Sequence, residues 1–442
     1  MALTMKLAHP ISSLIDQEAR PAMFRAVQRA EIVGHFALVQ AAVQVLSVAS
    51  GILLVRILQQ RDYAWFTIAN TLQGTINVLA DIGISVGVVS IGGRVWQDRH
   101  RFGQLVNTAL KLRKHLGLPV AAVTAPILYF LLARNGAPMG YAVALVGLVV
   151  LGVIPQLSLN VLTVVPRLRS DISRIQTIDF TGAICRLLGL LILAAIFLDA
   201  ALAIALATAV YYLQYVMLRS YAARVIDLAA PENPEDRAAM LALVRKLAAN
   251  AVFFCLQSHV AIFLISIFGH RATSVAEVGA LGRLAIIFAV LSTLLTNVFV
   301  PAFARAQSPR RLRWLYVAIT GGVTLFGLIV LAAAAAFPAE FLLVLGNKYA
   351  HLHRELLLMV AAAVISSIAG AIWALNSSRA WVTGAWLYIP LTVAAQIAVI
   401  PFLDFSTVAG VLIFNIVSAA PALVLNLILS YRGFRALPLA AA

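Results

Sequence analysis

Apolar runs of roughly twenty residues recur along the chain, separated by short polar breaks. A helix satisfies its own backbone in hydrocarbon and needs about 20 apolar residues to cross it. The pattern predicts six such helices in the first half, over 32–56, 66–91, 116–133, 141–165, 177–197 and 201–219. Six more follow over 247–269, 278–304, 314–337, 355–376, 384–403 and 407–430. Breaks fall at turn or charge clusters such as Arg134-Asn135-Gly136 and Ser308-Pro309-Arg310-Arg311. The longest polar stretch, 220–246, contains Pro231-Glu232-Asn233-Pro234-Glu235-Asp236 and reads as a linker. The expected organisation is an N-terminal segment 1–31, an N-lobe 32–219, the linker 220–246, a C-lobe 247–430 and a tail 431–442.

The halves echo one another. Asp62-Tyr63-Ala64-Trp65-Phe66 opens the second helix and Glu277-Val278-Gly279-Ala280-Leu281 opens the eighth. Lys111-Leu112-Arg113-Lys114 precedes the third and Arg310-Arg311-Leu312-Arg313 precedes the ninth. Six helices per half return the chain to one side, so the repeats run parallel about an axis normal to the membrane. The fold class expected is all-α and polytopic, with two six-helix lobes around a central cavity.

Composition narrows the function classes. Of 442 residues, 62% are hydrophobic and 11% charged, which excludes a soluble enzyme, a disulfide scaffold and a disordered chain. The net charge of +16 is spread in short loops, without the basic, aromatic-interleaved domain that nucleic acid requires. Counted loop by loop, 25 Lys and Arg fall on one side and 6 on the other. That bias places both termini in the cytoplasm of a bacterial inner membrane. Residues 1–31 mix both charges and lack the apolar stretch of a signal peptide. Cys185 and Cys255 lie inside apolar runs and read as core. His351, His353 and Glu355 lack the further ligands that a metal needs, so no metal and no cofactor are expected.

Polar side chains inside spans need partners or water, so their facing is informative. Gln40, Gln44, Ser47 and Gly51 share one face of the first helix, and Asn70, Gln73, Asn77 and Asp81 one face of the second. Asn250 and Gln257 lie seven apart on the seventh, Arg283 and Asn297 fourteen apart on the eighth. These repeat-equivalent stripes are expected to line the cavity; the alternative is that they tie helices together. Arg186 sits mid-span, where a charge costs about 2.5–3.5 kcal/mol. Two readings stand for it: an ion pair with an acid such as Asp81, or a clamp for a phosphate. Arg283 either faces the cavity or snorkels. Asp81, Asp179 and His259 are candidate coupling or titrating groups. Pro155 and Pro301 would permit kinks.

The chain resembles the oligosaccharide flippase (polysaccharide exporter) family of the multidrug/oligosaccharidyl-lipid/polysaccharide superfamily. The resemblance is carried by Leu53-Leu54-Val55-Arg56-Ile57-Leu58, Asp62-Tyr63-Ala64-Trp65-Phe66 and Leu79-Ala80-Asp81-Ile82-Gly83-Ile84-Ser85, with Ala64 where Gly is usual. Phe337-Pro338 and Leu345-Gly346-Asn347-Lys348-Tyr349-Ala350 add a second match. It implies a non-enzymatic, two-lobed exporter that moves undecaprenyl-pyrophosphate-linked oligosaccharide between leaflets by alternating access. Its expected partners are the lipid-linked oligosaccharide, membrane lipids, and a polysaccharide polymerase with its chain-length machinery. Arg186 and Arg283 would suit the pyrophosphate. A cation-coupled drug antiporter would want a buried acid in the first helix, which instead holds Gln40 and Gln44. A glycan transferase or polymerase would want long outer loops with paired acids, and these are missing.

Overall fold

The computed structural model describes residues 20–169, 171–306 and 308–436; the side chains of 20–38, Ile172, Asn297 and Val298 also lie outside the described residues. The first half comprises α1 (Arg20–Ile57), α2 (Gln60–Asp81), α3 (Ile84–Val95), α4 (Arg99–Arg134), α5 (Met139–Leu162), α6 (Val164–Leu168), α7 (Ile172–Ile196) and α8 (Ala200–Val225). The second comprises α9 (Pro234–Phe268), α10 (Ala272–Leu284), α11 (Ile286–Leu294), α12 (Val300–Ala304), α13 (Pro309–Ala336), α14 (Pro338–Leu345), α15 (His353–Ser378), α16 (Tyr388–Val399) and α17 (Val408–Arg435). Among the described residues, eleven helices are long and apolar enough to span, and α2 with α3, bent by 44°, makes a twelfth if the pair is one span. The chain is an all-helical, multi-pass membrane protein.

Polar caps set many of the limits. Asp98, Asp171, Asp199, Asn233, Ser308 and Thr407 each accept backbone N–H bonds at the first turn of α4, α7, α8, α9, α13 and α17. These caps carry helix far beyond the hydrocarbon. The stretch 92–115, expected as a basic loop, is mostly helical, because Asp98 starts α4 seventeen residues before the apolar run at 116. Likewise α8 runs on to Val225 and α9 begins at Pro234, so only 226–233 of the expected linker is non-helical. Between α13 and α15 the connecting loop folds as α14 and a short 3-10 turn.

α2 breaks at Gly83, whose φ of 72° suits glycine. Glycine also fits sterically, since a Cβ there would lie 3.2 Å from the Leu243 carbonyl carbon and the Val244 nitrogen. The span α10–α12 breaks at Ala285 and holds a π-helical turn over Leu295–Phe299. That turn inserts a residue into the helical register. Asn297, expected to share a face with Arg283, falls in this turn, and its side chain lies outside the described residues.

Helices of each half pack chiefly within that half: α5 on α8 and α4, α1 on α7, α15 on α17 and α13. The halves meet mainly where α2 packs on α10 and α9. The apolar interior shows how. Toward the pole opposite the termini, one continuous cluster includes Leu54, Leu58 and Tyr63 of the first half and Ala280, Leu345 and Tyr349 of the second. Toward the terminal pole it divides. One cluster, around Phe102, Leu105 and Val165, belongs to the first half plus Met240; the other, around Phe303, Leu312 and Leu375, belongs wholly to the second.

Candidate functional site

Near the undivided pole the halves are laced by hydrogen bonds to backbone carbonyls. Arg56 donates from Nε to Val344 (3.0 Å) and from Nη2 to Leu343 (2.7 Å). In return, Lys348 Nζ donates to the carbonyls of Arg56 (3.0 Å) and Leu58 (2.7 Å). Each cation sits at the C-terminal end of the opposite helix, α1 or α14, where carbonyls are unsatisfied and the helix dipole favours positive charge. Arg134 and Asn135 add bonds to the carbonyls of Ile267 and Ser266. Partial burial lowers the Lys348 pKa from its ordinary value.

Beneath this clasp lies Arg283, eleven residues into its span and thus about 16 Å deep. Its Nε donates to Tyr63 Oη at 3.3 Å, and Tyr63 Oη donates to the Gly279 carbonyl at 3.4 Å. Its guanidinium lies over Gly51, where a Cβ would come within 3.3 Å of Nη1. Arg283 therefore points between the lobes rather than toward headgroups. Of the expected stripe on α1, Gly51 is the residue it reaches. No acid stands within ion-pair distance of it among the described residues. Asn70 is exposed on α2, and one turn on, Gly74 meets His259 of α9, whose ring also stands edge-on to Phe263.

The rest of the expected stripe on α2 turns inward to the N-lobe. Gln73 is buried against Gly152 of α5 and Thr208 of α8, so it lines no central cavity. Asp81 is taken by Arg113, whose fully buried guanidinium lies 3.0 Å away, and it also accepts from Ser85 Oγ at 2.6 Å. This removes Asp81 as a partner for Arg186. Arg113 also donates to Asn77 Oδ1 at 2.9 Å, and Asn160 donates to the same oxygen at 3.3 Å. Asn77 then lines a cavity of about 210 Å³ inside the N-lobe with Gln156, Asn160, Asp179, Tyr211 and Gln214. Arg186 is not among the residues that line that chamber; its guanidinium lies 5.4 Å from the centre of the Tyr211 ring, and its Nε is buried without a hydrogen-bond partner.

The C-lobe holds a larger cavity, about 510 Å³, among α9, α15, α16 and α17. Asn250 and Gln257 line it, so the stripe on α9 faces into the C-lobe rather than the space between lobes. Four aromatic side chains gather among its amides and serines: Phe254 stacks on Tyr388 at 5.1 Å, with Trp373 and Trp386 also lining the wall. Gln396 bridges Gln257 Oε1 (2.7 Å) and Ser418 Oγ (2.9 Å). Among the described residues, no charged side chain lines this cavity. Ser366 and Trp373 lie about 20 and 30 Å from the start of α15, so the pocket occupies the half of the span nearer the terminal pole. The Asn297 side chain lies outside the described residues.

Sequence reasoning overlooked Arg113, which it placed in a loop, and the aromatic set Trp373, Trp386 and Tyr388. Arg113 stands between Lys111 and Lys114 in one basic cluster, and only its pairing with Asp81 sets it apart.

No family model and no curated protein matches the chain. Solved structures do. An inward-facing multidrug resistance MATE family transporter of the MOP superfamily is 16% identical with a TM-score of 0.63, covering 90% of this chain and 99% of its own. An outward-facing one is also 16% identical, with a TM-score of 0.56 over 90% and 93%. A MOP superfamily transporter from Pyrococcus furiosus, described as having a binding pocket of reverse polarity that suggests a different function, is 15% identical, with a TM-score of 0.56 over 89% and 92%. The chain has the MATE transporter fold.

Proposed function

We propose that the chain is an alternating-access transporter with its terminal pole in the cytoplasm, held in an inward-open state. The observation that carries this is the division of the apolar core: shared between lobes at one pole, split in two at the other. The higher TM-score against the inward-facing relative is in keeping with it. The bias of Lys and Arg assigns the split pole to the cytoplasm. Rocking the lobes would break the clasp of Arg56 and Lys348 and bring the split cores together.

The cargo class follows from the pockets. Tryptophan faces beside clustered amides and serines suit the apolar faces and hydroxyls of sugars, and Arg283, without an acid partner, suits a phosphate. We read the cargo as a lipid-linked oligosaccharide, its glycan in the C-lobe pocket and its diphosphate toward Arg283. Asp179 in the N-lobe chamber is the candidate coupling group. The reading as a multidrug antiporter has support of its own: the names of the structural neighbours, and the same aromatic pocket, which would also receive flat organic cations. Deleting the gene separates the two. Accumulation of lipid-linked glycan on the cytoplasmic leaflet supports the first. Unchanged glycan with heightened sensitivity to cationic dyes overturns it in favour of the second.

A further inference from the structure

A third cavity, of about 360 Å³, lies away from both pockets, among α4, α5 and α8 at the terminal pole. Lys111 and Lys114 project into it from one face of α4, Arg219 and Tyr215 from α8, and Asn107 and Ser158 complete its polar wall. Arg219 Nη1 donates to Tyr215 Oη at 2.6 Å, which fixes the guanidinium. No acid lines the cavity. Glu232, outside it, engages Lys111 at 2.7 Å, and that ion pair lowers the Glu232 pKa. Lys114 and Arg219 have no acid partner among the described residues.

Depth identifies the setting. Lys111 is 23 residues from the far end of α4, Arg219 is 19 from that of α8 and Leu162 is 23 from that of α5. At 1.5 Å per residue these are about 35, 29 and 35 Å, against a hydrocarbon thickness of about 30 Å. The cationic groups thus stand at the level of lipid phosphates. Above them the surface of α4 and α5 is apolar and exposed: Leu118 one turn beyond Lys114, and Ile154 and Leu151 one and two turns beyond Ser158. A charged pocket at phosphate depth beneath an exposed apolar groove matches a molecule with an anionic head and acyl chains.

We propose that this cavity binds the phosphate of an anionic membrane phospholipid, with Lys114 and Arg219 as its main cationic contacts. The segment joining the lobes closes the pocket on its aqueous side, since Asn107 Nδ2 donates to the carbonyls of Leu228 (2.9 Å) and Ala230 (2.8 Å). The proposal is independent of the cargo.

The test is native mass spectrometry of the purified full-length protein in detergent, titrated with phosphatidylglycerol, phosphatidylcholine or inorganic pyrophosphate. Phosphatidylglycerol should bind in preference to phosphatidylcholine, and the double substitution Lys114→Gln with Arg219→Gln should weaken it roughly 30-fold. Arg310→Gln with Arg311→Gln, which removes two charges near the same pole outside the pocket, should leave it unchanged. Equal binding of the two lipids, full retention in the pocket variant, or equal loss in both double variants would overturn the site. Binding of pyrophosphate that depends on Lys114 and Arg219, with none of phosphatidylglycerol, would overturn the lipid assignment. The thermal transition of each variant guards against a folding defect.

Discussion

The two lobes each hollow out the same place, among the fourth, fifth and sixth helices of the repeat, and furnish it in opposite ways. In the N-lobe the chamber is small, amide-rich and lined by one acid, Asp179, with Arg186 behind its Tyr211. In the C-lobe it is more than twice as large, aromatic and free of charge. The two halves thus share architecture without sharing chemistry, and under the proposed function the difference assigns ions to one side and an amphipathic solute to the other. The N-lobe also needs a scaffold for its polar groups. Arg113, Asp81, Asn77 and Asn160 form a connected network leading to the chamber.

That contrast can be attacked at its strongest point first. Replacing Arg113 with Ala leaves Asp81 half-buried and unpaired, and is expected to cost about 3–5 kcal/mol. Thermal unfolding in detergent reads it; an unchanged transition would mean that the network is not structural. Next, Asp179→Asn and Trp373→Ala should separate: the first abolishing ion-driven transport with solute binding intact, the second weakening binding by about tenfold. Solute binding followed by tryptophan-independent calorimetry, alongside transport in vesicles, shows whether the labour is divided; loss of binding in both would collapse the distinction. The smallest effect is expected outside both pockets. Lys348→Ala removes half of the clasp on exposed groups and should raise the outward-open population about fivefold, about 1 kcal/mol, seen as a change in distance between spin labels on the two lobes.

Much of this was legible in the chain. Periodicity gave the twelve spans, and of the stripe from Gln40 to Gly51 it is Gly51 that Arg283 approaches. What failed did so for physical reasons. Hydropathy marks where lipid ends, not where a helix ends, so capped extensions such as Arg99–His115 passed for loop. Asn70, Gln73, Asn77 and Asp81 share a broad stripe, but neighbours subdivide it. Gly152 leaves room for Gln73 on one side, Arg113 draws Asn77 and Asp81 together, and only Asn70 is left exposed. Aromatic residues such as Trp373 carry no periodic signal within an apolar run, so the C-lobe pocket emerged only from packing.

The clasp between Arg56 and Lys348 has a property that pairs of opposite charges lack. Its acceptors are peptide carbonyls, present whatever residues occupy positions 58, 343 and 344, so drift at those sites leaves the latch intact. Only two side chains can be lost, and no change of acidity in the surrounding medium neutralises a carbonyl. Half of the fastening between the lobes is thus written in the main chain, where divergence of sequence does not reach it.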